Sequence, residues 1–235
     1  KVTLLDLAIL RERVTLAEYM DASQGASAEV RYQRHSIKTV GIQGRTENYP
    51  MLGKWELQDG RHFSPQEVER SADVVVIGFD IADRMFPGVD PIGKDLKIGG
   101  VNFRIIGVLA KKAGTLGGGQ NLFAVVPLTS LQKLFGSHRS IAIYVKSANL
   151  DRVSECVDQV RLTMRTLRHL GPKREDNFAI VTSDNLLTLW EGISKGIFAA
   201  LIGIVSISLV VGGIVIMNIM LVSVTERTRE IGIRK

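Results

Sequence analysis

The sequence contains a single cysteine, Cys156. One cysteine excludes an intrachain disulfide and a zinc site built on thiolates. Aromatics make up only 6% of the chain, and its lysines and arginines are dispersed. A nucleic-acid surface gathers cations into a stripe with aromatics among them. The pattern therefore argues against nucleic acid as a partner, despite a formal net charge of +6. The four histidines, His35, His62, His138 and His169, include no pair at metal-ligand spacing. No nucleophile elbow or other catalytic constellation is visible. The expectation is a chain with no catalytic residue, no cofactor site and no metal site. It also has no initial methionine, no signal peptide and no helix-ending signal at Lys235. Both ends read as internal to something longer.

What the chain does have is one long apolar run. Ile197 to Val224 is 28 residues without a charge. About 20 such residues cross a hydrocarbon core as a helix, and a run of 10–14 is the usual length for a buried core helix. The run predicts one transmembrane helix. Gly203, Ser206, Ser208, Gly212 and Gly213 are small residues within it, of the kind that let helices approach closely in lipid. Asn218 is its one strong polar side chain. Arg227, Arg229, Arg234 and Lys235 follow the run, whereas Lys195 is the only cation between Asn177 and its start. Cations beside a span favour the cytoplasmic side. The tail is therefore expected in the cytoplasm and the residues before about 190 outside it.

The preceding part reads as short, mixed elements. Leu4–Arg13 predicts a helix, with Thr3 as N-cap and Asp6 in its first turn. Strands are predicted near Ser27–Gln33 and Ser36–Gly41. Residues 48–63 read as irregular, punctuated by Pro50, Gly53 and Gly60. Asp73–Gly78, DVVVIG, predicts a buried strand, and Ile81–Phe86 a turn or two of helix. Leu96–Ile98 and Phe103–Leu109, joined through Gly99-Gly100, predict a hairpin. Gly114–Gly119 holds four glycines and predicts a mobile loop, followed by a strand at Phe123–Pro127 and a helix at Thr129–Phe135.

Ile141, Ile143 and Val145 alternate with polar or exposed neighbours as in a half-buried strand. Asn149 can cap a helix from Leu150, with Val153, Cys156, Val157, Val160, Met164 and Leu167 on one face and Gly171-Pro172 as the stop. Cys156 on that face reads as a small buried hydrophobe. A further strand is predicted at Phe178–Val181, which makes a strand–helix–strand unit with parallel strands if both share a sheet. Thr182, Ser183 or Asp184 can cap a last helix that runs into the apolar segment without a proline. Trp190 is expected either near the outer interface or against the domain. The fold class expected is α+β: a mixed α/β extracytoplasmic domain plus one transmembrane α-helix.

Two features invite over-reading. Gly88–Lys94 fits GxxxxGK, but Asp95 stands where a phosphate-binding loop needs Ser or Thr, and Pro91 removes an amide from the cradle. A turn entering a hairpin is the expected role. Glu67, Glu69 and Asp73 read as a solvated acidic face.

The FPGVDPIGK stretch, Phe86–Lys94, and the following hairpin ending in IGVL together resemble the periplasmic core domain of MacB-type ABC transporter permeases. LQDGRHFSPQEV (Leu57–Val68) and FAVVPLTSLQKLFG (Phe123–Gly136) fit the same domain. TERTREIGIRK (Thr225–Lys235) is similar to the loop after the second transmembrane helix of FtsX/MacB-type permeases. The resemblance implies an extracytoplasmic domain at 1–190 with two lobes, the smaller inserted near 71–135. It implies a stalk and second transmembrane helix at 184–224, and the start of a cytoplasmic loop at 225–235. Glu226, Arg227, Arg229 and Glu230 would lie on the ATPase side. The implied partners are an ABC ATP-binding subunit or domain, a second permease in a homodimer or heterodimer, a periplasmic adaptor and an outer-membrane channel. The implied function is that of an exporter permease in the cell (inner) membrane, with any ATPase activity outside this chain. A regulator that drives a periplasmic partner such as a cell-wall hydrolase, without transport, and an enzyme tethered by one helix are the other readings left open.

Overall fold

The computed structural model describes residues 1–53, 55–111, 122–137 and 139–233, with the backbone alone at 183–186, 189 and 230–233. These fall into two units, Lys1–Phe178 and Ala179–Lys235. The glycine-rich 114–119 stretch and His138 lie outside the described residues.

The first unit opens with helix α1 (Leu4–Arg13), fixed by the expected cap: Asp6 N donates to Thr3 Oγ1 and Thr3 N donates to Asp6 Oδ2. This reciprocal box satisfies two amides that the first turn leaves open. Strands β1 (Ala17–Tyr32) and β2 (His35–Arg45) follow as one long hairpin, turned at Gln33 in the left-handed region. Both are longer than the sequence predicts. Small and polar residues such as Ser23, Gln24 and Gly25 carry no strand propensity of their own, but their register with Gly44, Arg45 and Gln43 holds them in the ladder.

Residues 48–63 are more regular than expected. They hold α2 (Tyr49–Leu52) and β3 (Leu57–Gly60), the latter paired with the end of a later strand rather than with a sequence neighbour. Next come α3 (Pro65–Glu69), β4 (Val74–Ile77), α4 (Phe79–Met85), β5 (Asp95–Ile98), β6 (Val101–Leu109), β7 (Phe123–Pro127) and α5 (Leu128–Phe135). β5 and β6 form the predicted hairpin, turned by Gly99 and Gly100 at φ 55° and 98°. β8 (Ala142–Ser147) leads through a 3-10 turn to α6 (Val153–Leu167).

The strand pairings run β1–β2–β7–β4–β6–β5 and return to β1, so six strands close on themselves. β8 adds to the start of β1 and β3 to the end of β6. Closure removes the open edges those six strands would present. Period-two alternation then sends neighbouring residues to different cores. Val75, Ile77, Ile105, Ala124 and Val126 join Val30, Val40, Ile42, Leu96, Ile98 and Phe103 in one cluster. Val76, Ile106 and Val125 face a second cluster with Tyr49, Phe63 and Val68. A strand buried on both faces reads as an uninterrupted apolar run, which is why DVVVIG is so apolar. A third cluster packs α1 and α6 on β8 and the start of β1, through Leu7, Leu10, Met20, Ala22, Ile141, Cys156 and Met164.

Two expectations fail here. Phe178–Val181 is not a strand, so the strand–helix–strand unit does not form. The residues ahead of it are held on α6 by arginines, as described below, and Phe178 packs its ring against the α1/α6 cluster instead of joining a ladder. α6 also stops before Gly171-Pro172. His169 takes the left-handed conformation at φ 49°, with Leu170 N bonded to Arg165 O and His169 N to Thr166 O. This closing pattern usually uses glycine.

The second unit is one helix, α7 (Ser183–Ile233), of 51 residues. Every residue from Lys195 to Arg229 is exposed, and α7 contains a segment long and apolar enough to cross a membrane.

Candidate functional site

The described residues offer no reaction centre, so the candidate functional elements are the long apolar helix α7 and, taken separately, the polar clusters of the first unit. At 1.5 Å per residue, the 28-residue apolar run of α7 is about 42 Å long against a hydrocarbon core of about 30 Å. Two of its three serine hydroxyls bond within the helix: Ser206 Oγ donates to Ile202 O at 2.7 Å, and Ser208 Oγ to Ile204 O at 3.0 Å. Such internal bonding is what a lipid environment demands of polar groups. Gly192 and Gly196, four residues apart just before the run, were not among the small residues singled out from the sequence. Glu226, Arg227 and Arg229 lie together within one turn near the far end of α7, all exposed. The Glu230 side chain lies outside the described residues. Trp190 is exposed on α7.

Residues 171–178, which precede α7 in the chain, are gripped by Arg161 and Arg165 of α6 and by Arg168 at its C-cap. Arg165 Nη1 pairs with Asp176 Oδ1, and its Nη2 donates to Gly171 O at 2.8 Å and Arg174 O at 2.9 Å. Arg161 Nε lies 3.5 Å from Asp176 Oδ2. Arg168 Nη1 donates to both Asn177 Oδ1 (2.6 Å) and Asn177 O (3.2 Å). Its Nη2 donates to Lys1 O at 2.8 Å and sits 3.8 Å from Asp6 of α1, and its Cζ lies 5.5 Å from the centre of the Phe178 ring. The Arg165 and Arg168 side chains are 21% and 12% exposed. Sequence reasoning missed this cluster. The 161, 165, 168 spacing, which puts three guanidinium groups on one helix face, was the available signal.

A second polar group is buried where β1, β2 and β8 meet. Asp21 and Arg45 pair at 2.8 Å, with side chains 0% and 8% exposed. Asp21 Oδ1 accepts from Thr46 N (2.9 Å) and Thr46 Oγ1 (2.6 Å). The Arg45 guanidinium stacks between Tyr144 and Trp55, 4.9 and 5.5 Å from their ring centres. Burial raises the Asp21 carboxyl, against the opposing pull of Arg45 and the Thr46 bonds.

Beside this pair, the Tyr49 hydroxyl lies 2.6 Å from His62 Nδ1. Burial pushes the Tyr49 phenol up and the His62 imidazole down. A neutral phenol donating to a neutral imidazole fits both directions. His62 is thus no ordinary surface histidine. In the unfolded chain it protonates near 6.5 and in the folded domain only below that, so stability is complete above 6.5 and falls as the pH drops through the window beneath it. Thermal melts of residues 1–178 should show a larger loss of Tm between pH 7.5 and 5.5 for the wild-type sequence than for His62→Gln. Equal losses would remove His62 as the cause.

The remaining sequence candidates are structural. Cys156 is buried and its thiol is pushed up by burial, the opposite of an activated nucleophile. In Gly88–Lys94 four amides are already used: Val89 N donates to Phe86 O, Ile92 N to Asp90 Oδ1, Gly93 N to Ile105 O and Lys94 N to Pro91 O. This is a turn into β5 and not a phosphate cradle. Glu67 is not simply a solvated acid. It closes a capping box with Ser64 and takes both Arg61 Nη atoms at 2.7–2.8 Å. The Arg61 bonds hold its carboxyl at about 2, against the opposing effect of burial.

Comparison with known proteins bears on this arrangement. Residues 2–162 match the family model described as the MacB-like periplasmic core domain. The macrolide export ATP-binding/permease protein MacB of Bdellovibrio bacteriovorus is 32% identical over all of this chain and 36% of its own length. The pyoverdine export ATP-binding/permease protein PvdT of Pseudomonas fluorescens is 33% identical over 99% of this chain and 35% of its own. The chain thus spans about a third of the length of the curated relatives it matches. Among solved structures, the periplasmic region of MacB from Actinobacillus actinomycetemcomitans aligns with a TM-score of 0.70 at 21% identity, covering 81% of this chain and 83% of that one. The extracellular domain of the ABC-type transporter YknZ from Gram-positive bacteria aligns at 0.62 and 22% identity, covering 71% and 84%.

Proposed function

The chain belongs to the family of the MacB-like periplasmic core domain, and from that premise we propose that it is part of an exporter permease that couples cytoplasmic ATP hydrolysis to movement outside the cytoplasm. On this reading residues 1–190 are extracytoplasmic, with an inserted lobe near 71–135. Residues 184–224 form the stalk and span, and 225–235 begin a cytoplasmic loop whose Glu226, Arg227, Arg229 and Glu230 face the ATPase side. The partners are an ATP-binding subunit or domain and a second permease, with a periplasmic adaptor and outer-membrane channel as further components.

The observation that carries the reading is the continuity of α7. It is one helix from Ser183 to Ile233, so roughly 14 helical residues, about 21 Å, precede the apolar run on the domain side. An unbroken helix is a stiff element that passes displacement along its axis. The names of the relatives support export as the task that such displacement serves.

The test is a deletion strain assayed for accumulation and resistance across macrolides, peptides and siderophores. Raised accumulation of at least one class, restored by the gene, is the expected result. A defect confined to cell separation would instead favour the regulator of a cell-wall enzyme.

A further inference from the structure

We infer that Arg165 and Arg168 form a clamp that carries displacement of α7 into the extracytoplasmic domain, a role that rests on the coupling reading above. Residues 171–177 have no strand ladder and are exposed. A segment of that kind would stretch under load and dissipate the motion. The two guanidinium groups remove this slack. Arg165 binds the Asp176 carboxylate together with the Gly171 and Arg174 carbonyls, so three points of the connector are tied to one side chain of α6. Arg168 binds Asn177 twice, covers Phe178, and reaches Lys1 O and Asp6. The end of the connector is thereby fastened to α1 as well as to α6.

Isolated exposed ion pairs are worth little because water screens them and long side chains lose entropy. This cluster differs in two ways. Its arginines are largely covered, and many of its acceptors are backbone carbonyls, whose positions are fixed by the path of the chain. A guanidinium presents five donors in a planar fork, which a lysine ammonium does not reproduce. Ala179–Thr182 separate Phe178 from the first residue of α7.

The experiment uses the full-length permease reconstituted with its ATPase. Backbone hydrogen exchange across α1, β8 and α6 is compared with and without ATP plus vanadate. The wild type is expected to show a nucleotide-dependent difference in these elements. R165M/R168M should reduce that difference at least fivefold while ATPase turnover stays within about twofold and the domain keeps its circular dichroism. R165K/R168K should recover less than half of it. A purely structural role would alter exchange equally in both nucleotide states. If the wild type shows a difference and R165M/R168M shows the same one, the clamp is overturned and the coupling reading stands. If the wild type shows none, the coupling reading fails and the clamp with it. Should R165M/R168M not fold, D176N/N177A alters only the connector and carries the same comparison.

Discussion

Asp21→Asn is expected to destabilise the extracytoplasmic domain by about 3–5 kcal/mol, the range for breaking a buried ion pair from one side. For a domain of this size that corresponds to a fall in Tm on the order of 10 °C. The amide keeps an acceptor for Thr46 but no longer neutralises Arg45, whose side chain is 8% exposed and whose Nε is buried without a hydrogen-bond partner. A guanidinium does not deprotonate in a protein, so the charge stays and the penalty is paid in full.

Arg45→Met should cost less. The Asp21 carboxyl already sits above its ordinary value, and without Arg45 it rises further, so it can neutralise itself by taking a proton. A carboxyl whose folded pKa is raised loses stability as the pH rises. The Arg45→Met penalty should therefore be larger at pH 8 than at pH 5. The double variant D21N/R45M should cost clearly less than the sum of the singles. Denaturant melts of residues 1–178 measure all three, and additivity within about 0.5 kcal/mol would show that the two side chains are not coupled.

Residues 1–235 are expected in the membrane fraction, resistant to alkaline extraction, whereas a chain ending at Phe178 should be recovered folded in the soluble fraction. The three apolar clusters all lie within Lys1–Phe178, so the shorter chain keeps its core. α7 contributes no buried residue from Lys195 to Arg229. Its apolar side chains would be covered by lipid in the membrane fraction. V210R/I214R in the 235-residue chain should impair insertion, because an arginine near the centre of a span costs about 2.5–3.5 kcal/mol on an insertion scale. Recovery of the unaltered 235-residue chain in the soluble fraction would refute the span.

Where the chemistry is local, the sequence was a reliable guide. The Thr3/Asp6 cap, the Gly99-Gly100 turn and the helical face through Cys156 and Met164 each depend on residues a few positions apart. Local preference misled at Phe178–Val181, whose apolar, β-prone residues have no ladder to join, and at His169, which ends α6 in a conformation usually left to glycine. The arginine clamp was legible only as a spacing without a target, because Asp176, Asn177, Lys1 and Asp6 come near those arginines through the fold.

The sequence by itself determined the family and an apolar segment long enough to cross a membrane. Twenty-eight uncharged residues need no tertiary context to be costly in water, and FPGVDPIGK with its hairpin is distinctive as a string. Only the tertiary structure decided how β1 and β2 extend, that six strands close, and that Asp21 meets Arg45. Each of these is a pairing between residues distant in the chain. Its free energy comes from burial and register that exist only once both partners are in place, so no local signal records it.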